Sequence, residues 1–168
     1  MDNTLILNDI LGYIKTVDQL DNFLAEIENV LAGLFKIKNK SIDQILDKTA
    51  GKSTAGIIKR LAEQNKIIPS DYPSLEKILT GLKKDLKKIK ILKISLAIDP
   101  SQEQIDHIFD WVLENLGKGI ILDIDKDESI LGGAIISFGG TYKDLSLRRT
   151  IEEIFQTKKG EIMNFAKS

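Results

Sequence analysis

The apolar positions of this chain change period near residue 90. Before it, Val17, Leu20, Leu24, Ile27, Leu31 and Leu34 follow one another at spacings of three and four, with Phe23 and Val30 widening the stripe. That spacing marks one face of a helix. A heptad seam would share it, but the run is too short for a long coiled coil, so a helix of a compact bundle is expected. Leu5, Ile6, Ile10 and Ile14 predict a shorter helix ahead of it. Ile42, Ile45 and Leu46 predict another behind it, and Ile57, Ile58 and Leu61 a further one. Pro69 and Pro73, with Ser70 and Asp71 between them, break the chain. Leu75, Ile78, Leu79, Leu82, Leu86 and Ile89 then predict a last amphipathic helix.

After residue 90 a period of two appears. Leu92, Ile94, Leu96 and Ile98 alternate with Lys93, Ser95 and Ala97, as a half-buried strand requires. Ser101 and Gln104 fit a capping box. The helix they open carries Ile105, Ile108, Phe109, Val112, Leu113 and Leu116, and Gly117 stands where a C′ glycine belongs. A second strand is expected from Gly119 to Asp125, then a polar turn at Asp127-Glu128-Ser129. Ala134, Ile136 and Phe138 alternate with Ile135 and Ser137, predicting a strand with one well-buried face. Gly132 and Gly133 lead into it, where glycine permits a positive φ or a close backbone approach. Gly139-Gly140 is a hairpin dipeptide, and Thr141-Tyr142 starts a short returning strand. Asp144 or Ser146 caps a final helix whose apolar face is Leu147, Ile151, Ile154 and Phe155. The expected fold class is α+β: an all-α helical bundle over residues 1–89, then a small strand-helix-strand-strand-helix αβ domain over residues 90–168.

Composition narrows the function classes. The chain has 168 residues, 42% apolar and 29% charged, which suits one or two small domains. Each half is near the size at which a core is only marginally sufficient, so docking or partner binding is expected to add stability. A net charge of −1 argues against global attraction to nucleic acid or lipid. The absence of cysteine excludes disulfides, thiolate catalysis and thiolate metal sites. No apolar run reaches the roughly 18 residues of a membrane span. Met1-Asp2-Asn3 does not open a signal peptide or an organellar presequence, so a bacterial, cytosolic setting is expected.

Several stretches imitate chemistry. Gly51-Lys52-Ser53 resembles the end of a phosphate-binding loop, but the motif needs glycine where Leu46 stands and a strand where a helix is read. It reads as a helix junction. Lys83, Lys84, Lys87, Lys88, Lys90 and Lys93 form a basic run that suits an acidic partner or anionic headgroups, but reads first as the solvated face of the helix carrying Leu82, Leu86 and Ile89. Asp123, Asp125, Asp127 and Glu128 lack the glycine and terminal glutamate of a calcium loop. His107 is the only histidine, so an imidazole metal site is not expected. Trp111 reads as an interface anchor or as a partly buried helix residue. No catalytic residue, cofactor or metal is expected.

The stretch from Leu131 to Arg148, Leu-Gly-Gly-Ala-Ile-Ile-Ser-Phe-Gly-Gly-Thr-Tyr-Lys-Asp-Leu-Ser-Leu-Arg, resembles the C-terminal signature of the F-type ATP synthase delta subunit family. The mitochondrial counterpart in that family is the oligomycin-sensitivity-conferring protein. The family carries a Leu-(Ile/Val)-Gly-Gly step, a valine-rich strand, a Gly-Asp turn and Asp-Gly-Ser-x-Arg. Here Leu131, Gly132, Gly133, Gly139, Asp144, Ser146 and Arg148 match in order, while Gly140 replaces the family's Asp and Leu145 its Gly. The strand and capped helix from Ile94 to Gly117 also resemble the family, so the likeness covers residues 90 to 155. The half before residue 90 lacks the family's Tyr-Ala-x-Ala-Leu opening.

The resemblance implies a non-catalytic stator subunit that joins the catalytic head to the peripheral stalk during proton-driven ATP synthesis. It implies an N-terminal domain on the alpha subunits of the head and a C-terminal domain on the b-type subunits of the peripheral stalk. Nucleic acid would be no partner, and the membrane would be met only through the complex, on the cytoplasmic side of a bacterial plasma membrane. Two other classes stay open on the residues alone. One is a small-molecule or nucleotide-binding enzyme domain in the αβ half, and the other is a free-standing helical adaptor sharing only the C-terminal fold.

Overall fold

The computed structural model describes residues 10–36 and 40–165. The chain divides into two compact units, residues 1–90 and 91–168.

Among the described residues the main elements of the first unit are helices: α1 (Val17–Lys36), α2 (Ile42–Thr49), α3 (Lys52–Gln64) and α4 (Tyr72–Leu86). Its centre is α1, which meets each of the other three. Leu20, Phe23, Ile27, Val30 and Leu34 are the buried row of α1, at spacings of three and four. Leu24 and Leu31 are half-buried, so the side of the stripe marked by Phe23 and Val30 is its middle. The α2 helix opens on a capping box in which Ser41 Oγ accepts from the Gln44 amide while Gln44 Oε1 accepts from the Ser41 amide. Pro73 does not end a segment. It lies in the first turn of α4, where its missing N–H would have been unpaired anyway, and Asp71 caps that turn by accepting from the Ser74 amide. The helix ends at Leu86, and Ile89 sits in the turn behind it, half-buried. Of the expected first helix, Ile10 is helical and buried, whereas Ile14 is buried in the segment past the turn that ends it and is not part of the helix; Leu5 and Ile6 lie outside the described residues.

The second unit runs β1 (Lys90–Leu96), α5 (Gln102–Leu116), β2 (Ile120–Lys126), a 3-10 turn at Glu128–Ile130, β3 (Gly133–Phe138), β4 (Thr141–Ser146) and α6 (Leu147–Phe165). The fold is thus α+β, with helices first and a strand-and-helix unit after. The four strands form one sheet in the order β2-β1-β3-β4. The β1–β3 and β3–β4 pairs are antiparallel, with Ile94 opposite Ile136 and Ile136 opposite Lys143. Ile98, expected to extend β1, is exposed in the turn beyond it. The capping box at Ser101 and Gln104 opens α5, and Gly117 ends it.

Candidate functional site

The register of the sheet places three cross-strand rows on the face that carries α5. They are Leu96–Ala134–Leu145, Ile94–Ile136–Lys143, and Leu92 beside Phe138–Thr141. Burial falls steadily across these rows. Ile120 and Leu122 of β2, Leu92 and Ile94 of β1, and Phe109 and Val112 of α5 form the buried core. Ala134, Ile136 and Phe138 of β3 are only half-buried, and Leu145 of β4 is 50% exposed. The sequence predicted a well-buried β3 face, and the structure corrects it. One helix about 10 Å across covers roughly two strands spaced at about 4.8 Å, and α5 covers β2 and β1.

The uncovered half is a groove of ≈ 850 Å³ between the α5 wall and β4. His107, Ile108 and Trp111 line it on one side, and Thr141, Lys143 and Leu145 on the other. Trp111, 53% exposed, is therefore a groove-wall residue rather than a core one. The volume lies within the range of small-molecule sites, but the polar side chains come from opposite walls and do not converge. Neither Lys143 nor the β4 edge had a distinctive signal in the sequence. The run Thr141, Lys143, Leu145 mixes polar and apolar positions, as an edge strand half in water does.

The residues of the glycine-rich signature build a joint at one end of the β3–β4 hairpin. Leu131 takes a left-handed backbone at φ 62°, and the Gly132 carbonyl accepts from the Leu147 amide at 2.8 Å. Gly133 pairs with Ser146 across the ladder. At Gly133, with φ +81°, a Cβ would stand 2.4 Å from the Leu145 carbonyl oxygen, so only glycine fits. Asp144 and Ser146, read as alternative caps, act in series. The Asp144 carboxylate accepts from the Ser146 amide at 2.9 Å, and Ser146 Oγ accepts from the Arg149 amide at 3.3 Å. Hydrogen bonding from Ser146 holds the Asp144 carboxyl below the usual aspartate range. Arg148 pairs with Glu152 at 3.1 Å, one turn on. Gly139 stands apart at the far end of the hairpin, where it and Gly140 both take positive φ, as a primed two-residue turn needs. The signature thus roots α6 without an intervening loop, and it gathers no reactive groups.

The remaining candidates take structural places. The Gly51 amide donates to Glu26 Oε2 at 3.1 Å, so a carboxylate occupies the position a phosphate would need. In the basic run, Lys83 pairs with Glu28, Lys88 with Asp85 and Lys93 with Asp123. That first pairing lowers the Glu28 carboxyl below its ordinary range. Lys126 sits amid the acidic turn, 2.8 Å from Glu128. Among the described residues no cluster of His, Asp or Glu is arranged to hold a metal ion. No helix among them is long and apolar enough to cross a membrane.

Comparison with known proteins follows the whole chain rather than the joint alone. The family model described as ATP synthase delta (OSCP) subunit matches residues 6–157. The ATP synthase subunit delta of Thermosipho africanus is 20% identical, over 93% of this chain and 92% of that protein. That of Marinobacter nauticus is 25% identical over 80% and 81%. That of Xanthobacter autotrophicus is 26% identical over 71% of this chain and 59% of the relative. A chain of the Toxoplasma gondii mitochondrial ATP synthase hexamer aligns over 94% of this chain and 97% of its own length. At 14% identity and a TM-score of 0.35, that likeness adds nothing to what the family model shows. The match spans both units, the divergent helical half included, and this chain belongs to the ATP synthase delta (OSCP) subunit family.

Proposed function

We propose that this chain is the non-catalytic stator subunit that ties the catalytic head of an F-type ATP synthase to its peripheral stalk. The helical unit would hold the alpha subunits of the head, and the αβ unit the helical ends of the b-type stalk subunits. The chain would then lie at the cytoplasmic face of a bacterial plasma membrane, peripheral and attached through the complex. The observation that carries the reading is the family match across residues 6–157. The open sheet face supports its C-terminal half, because a groove lined by alternate strand residues and a helix wall suits a helix laid into it.

The mechanism is mechanical. A stator joint must resist torque through every catalytic cycle, so dissociation has to be slow, and slow dissociation comes from a large, well-packed contact. Leu131 to Arg148 serves this role by fixing the start of α6 to the sheet, which transmits load between the hairpin and the helix. The test is affinity purification of the tagged full-length chain from its host's detergent-solubilised membranes. Head and stalk subunits should co-purify. A Trp111→Ala, Leu145→Ala double variant should lose the stalk and keep the head. Recovery of neither, in a preparation shown to contain intact synthase, would overturn the assignment.

A further inference from the structure

The groove of the second unit is asymmetric in charge. On the outer, exposed side of α5, Glu103, Asp110 and Glu114 follow at spacings of seven and four; none lines the groove, but His107 and Trp111, which do, lie one turn from them. All three carboxylates are exposed and none has an ion-pair partner among the described residues. With Asp106, the helix carries four acids and neither lysine nor arginine. On the opposite wall, Lys143 is exposed and likewise unpaired among the described residues. An apolar floor thus runs between a helix with an acidic outer rim and a strand edge that carries one lysine.

We propose that this groove takes one amphipathic helix with a basic flank toward α5 and an acidic position toward Lys143, a specificity that rests on the stator reading. The apolar stripe of that helix would cover Ile136, Phe138 and Leu145 and bury Trp111, completing a second helical layer beside α5. Lysines or arginines spaced at three, four and seven would meet Glu103, Asp110 and Glu114. The charge pattern would set which way round the helix lies, because reversing it brings like charges together on both walls.

The chain's own α6 does not answer this description. It is rooted directly on β4 by the Leu147, Ser146 and Arg149 amide bonds, with no loop that would let it fold back. Its charges are also mixed, since Arg148 and Arg149 pair with Glu152 and Glu153 along the helix. The α6 of a second copy would therefore offer the groove no uniformly basic flank.

Trp111 is the only tryptophan in the chain, so its fluorescence reports the groove directly. The experiment titrates the full-length chain with two synthetic helices of about five turns. They share one apolar face and differ in carrying a lysine or a glutamate flank. The lysine-flanked peptide should bind about tenfold more tightly, the scale of two or three exposed charge pairs. It should shift Trp111 emission to the blue, and lose affinity as salt rises. A Glu103→Lys, Asp110→Lys, Glu114→Lys variant, folded by circular dichroism, should reverse the preference. Equal binding of the two peptides would overturn the proposal, as would a preference the triple variant leaves unchanged. Sedimentation of the chain alone as a dimer with Trp111 already blue-shifted would overturn it too, by giving the groove to a second copy.

A parallel titration with the soluble part of the host's b-type subunit separates the two readings. If that subunit binds and the triple variant does not weaken it, the charge inference fails and the stator role stands. If the peptides discriminate and the subunit does not bind, the groove chemistry stands and the stator role fails.

Discussion

The two units spend their apolar residues differently. Among the described residues, the first unit buries nineteen hydrophobic side chains and exposes three large ones, Tyr13, Phe35 and Ile68. The second buries eight and exposes eleven, including Trp111, Leu145, Ile151, Ile154 and Phe155. The units are of similar length, so size does not explain the contrast. The helical unit encloses its core by wrapping helices round α1. The αβ unit has a four-stranded sheet with one helix on its described core face, so half of that face stays open. An apolar surface of this kind is the feature that the proposed docking of a stalk helix would use. The lesson is that similar composition yields a closed core or an open apolar face according to how many layers the topology supplies.

The sharpest way to break the comparison is to truncate one residue from each side of it. Ile27 is wholly buried in α1, and Ile27→Ala should destabilise the first unit by about 2–5 kcal/mol, the range for a core cavity. Urea unfolding followed by circular dichroism would measure it. Leu145→Ala removes a side chain already half in water and should cost about 1 kcal/mol, while weakening the proposed stalk capture in the purification assay. If both substitutions cost the same in stability, the groove is covered within the free protein and the contrast is false.

Next in size is the joint. Gly133→Ala places a methyl group against the Leu145 carbonyl at a positive φ, and relieving that contact means parting β3 from β4. A loss of about 1–3 kcal/mol is expected, with amide exchange rising across β3 and β4 and unchanged in α1. Ser146→Ala should cost about 1 kcal/mol, the usual value of an N-cap. Its effect should be confined to fraying at the start of α6, seen as faster exchange of the Arg149 amide.

Helical periodicity made the first unit readable almost residue by residue, because burial on one face of a helix imposes a repeat of three and four. Its misjudged details lay at ends. The stretch between Pro69 and Pro73 marks the break between α3 and α4, with Pro73 itself in the first turn of α4, and the apolar spacing carries Ile89 into a helix that stops at Leu86. Strand alternation located β1 and β3, and the glycine and capping signals located the joint. The groove was not legible. Alternation says which residues share a face but not what covers that face, and Ala134, Ile136 and Phe138 look the same in sequence under a helix or open to a partner. The exposure of Trp111 was undecided for the same reason, since the spacing of α5 fits either a wall or a core position.

The smallest expected effect concerns pH, and it tests whether the root of α6 behaves as a set of linked bonds. Asp144 has its carboxyl lowered by hydrogen bonding from Ser146, with the positive charges of Arg149 and Arg148 adding to the effect. A carboxyl whose folded value lies below its unfolded one contributes stability that is fully present above the unfolded value. That contribution is lost as pH falls through the folded value. The joint should therefore hold through neutral pH down to the ordinary aspartate range and loosen only below it. Asp144→Asn keeps an acceptor for the Ser146 amide but removes the charge, so its joint should lose this acid step. Amide exchange at Ser146 and Arg149, followed down the acid limb in both proteins, would show it. An acid step equally large in the variant would mean that Asp144 does not anchor the helix, and that the load on α6 rests on the Gly132–Leu147 bond and the Ser146 cap.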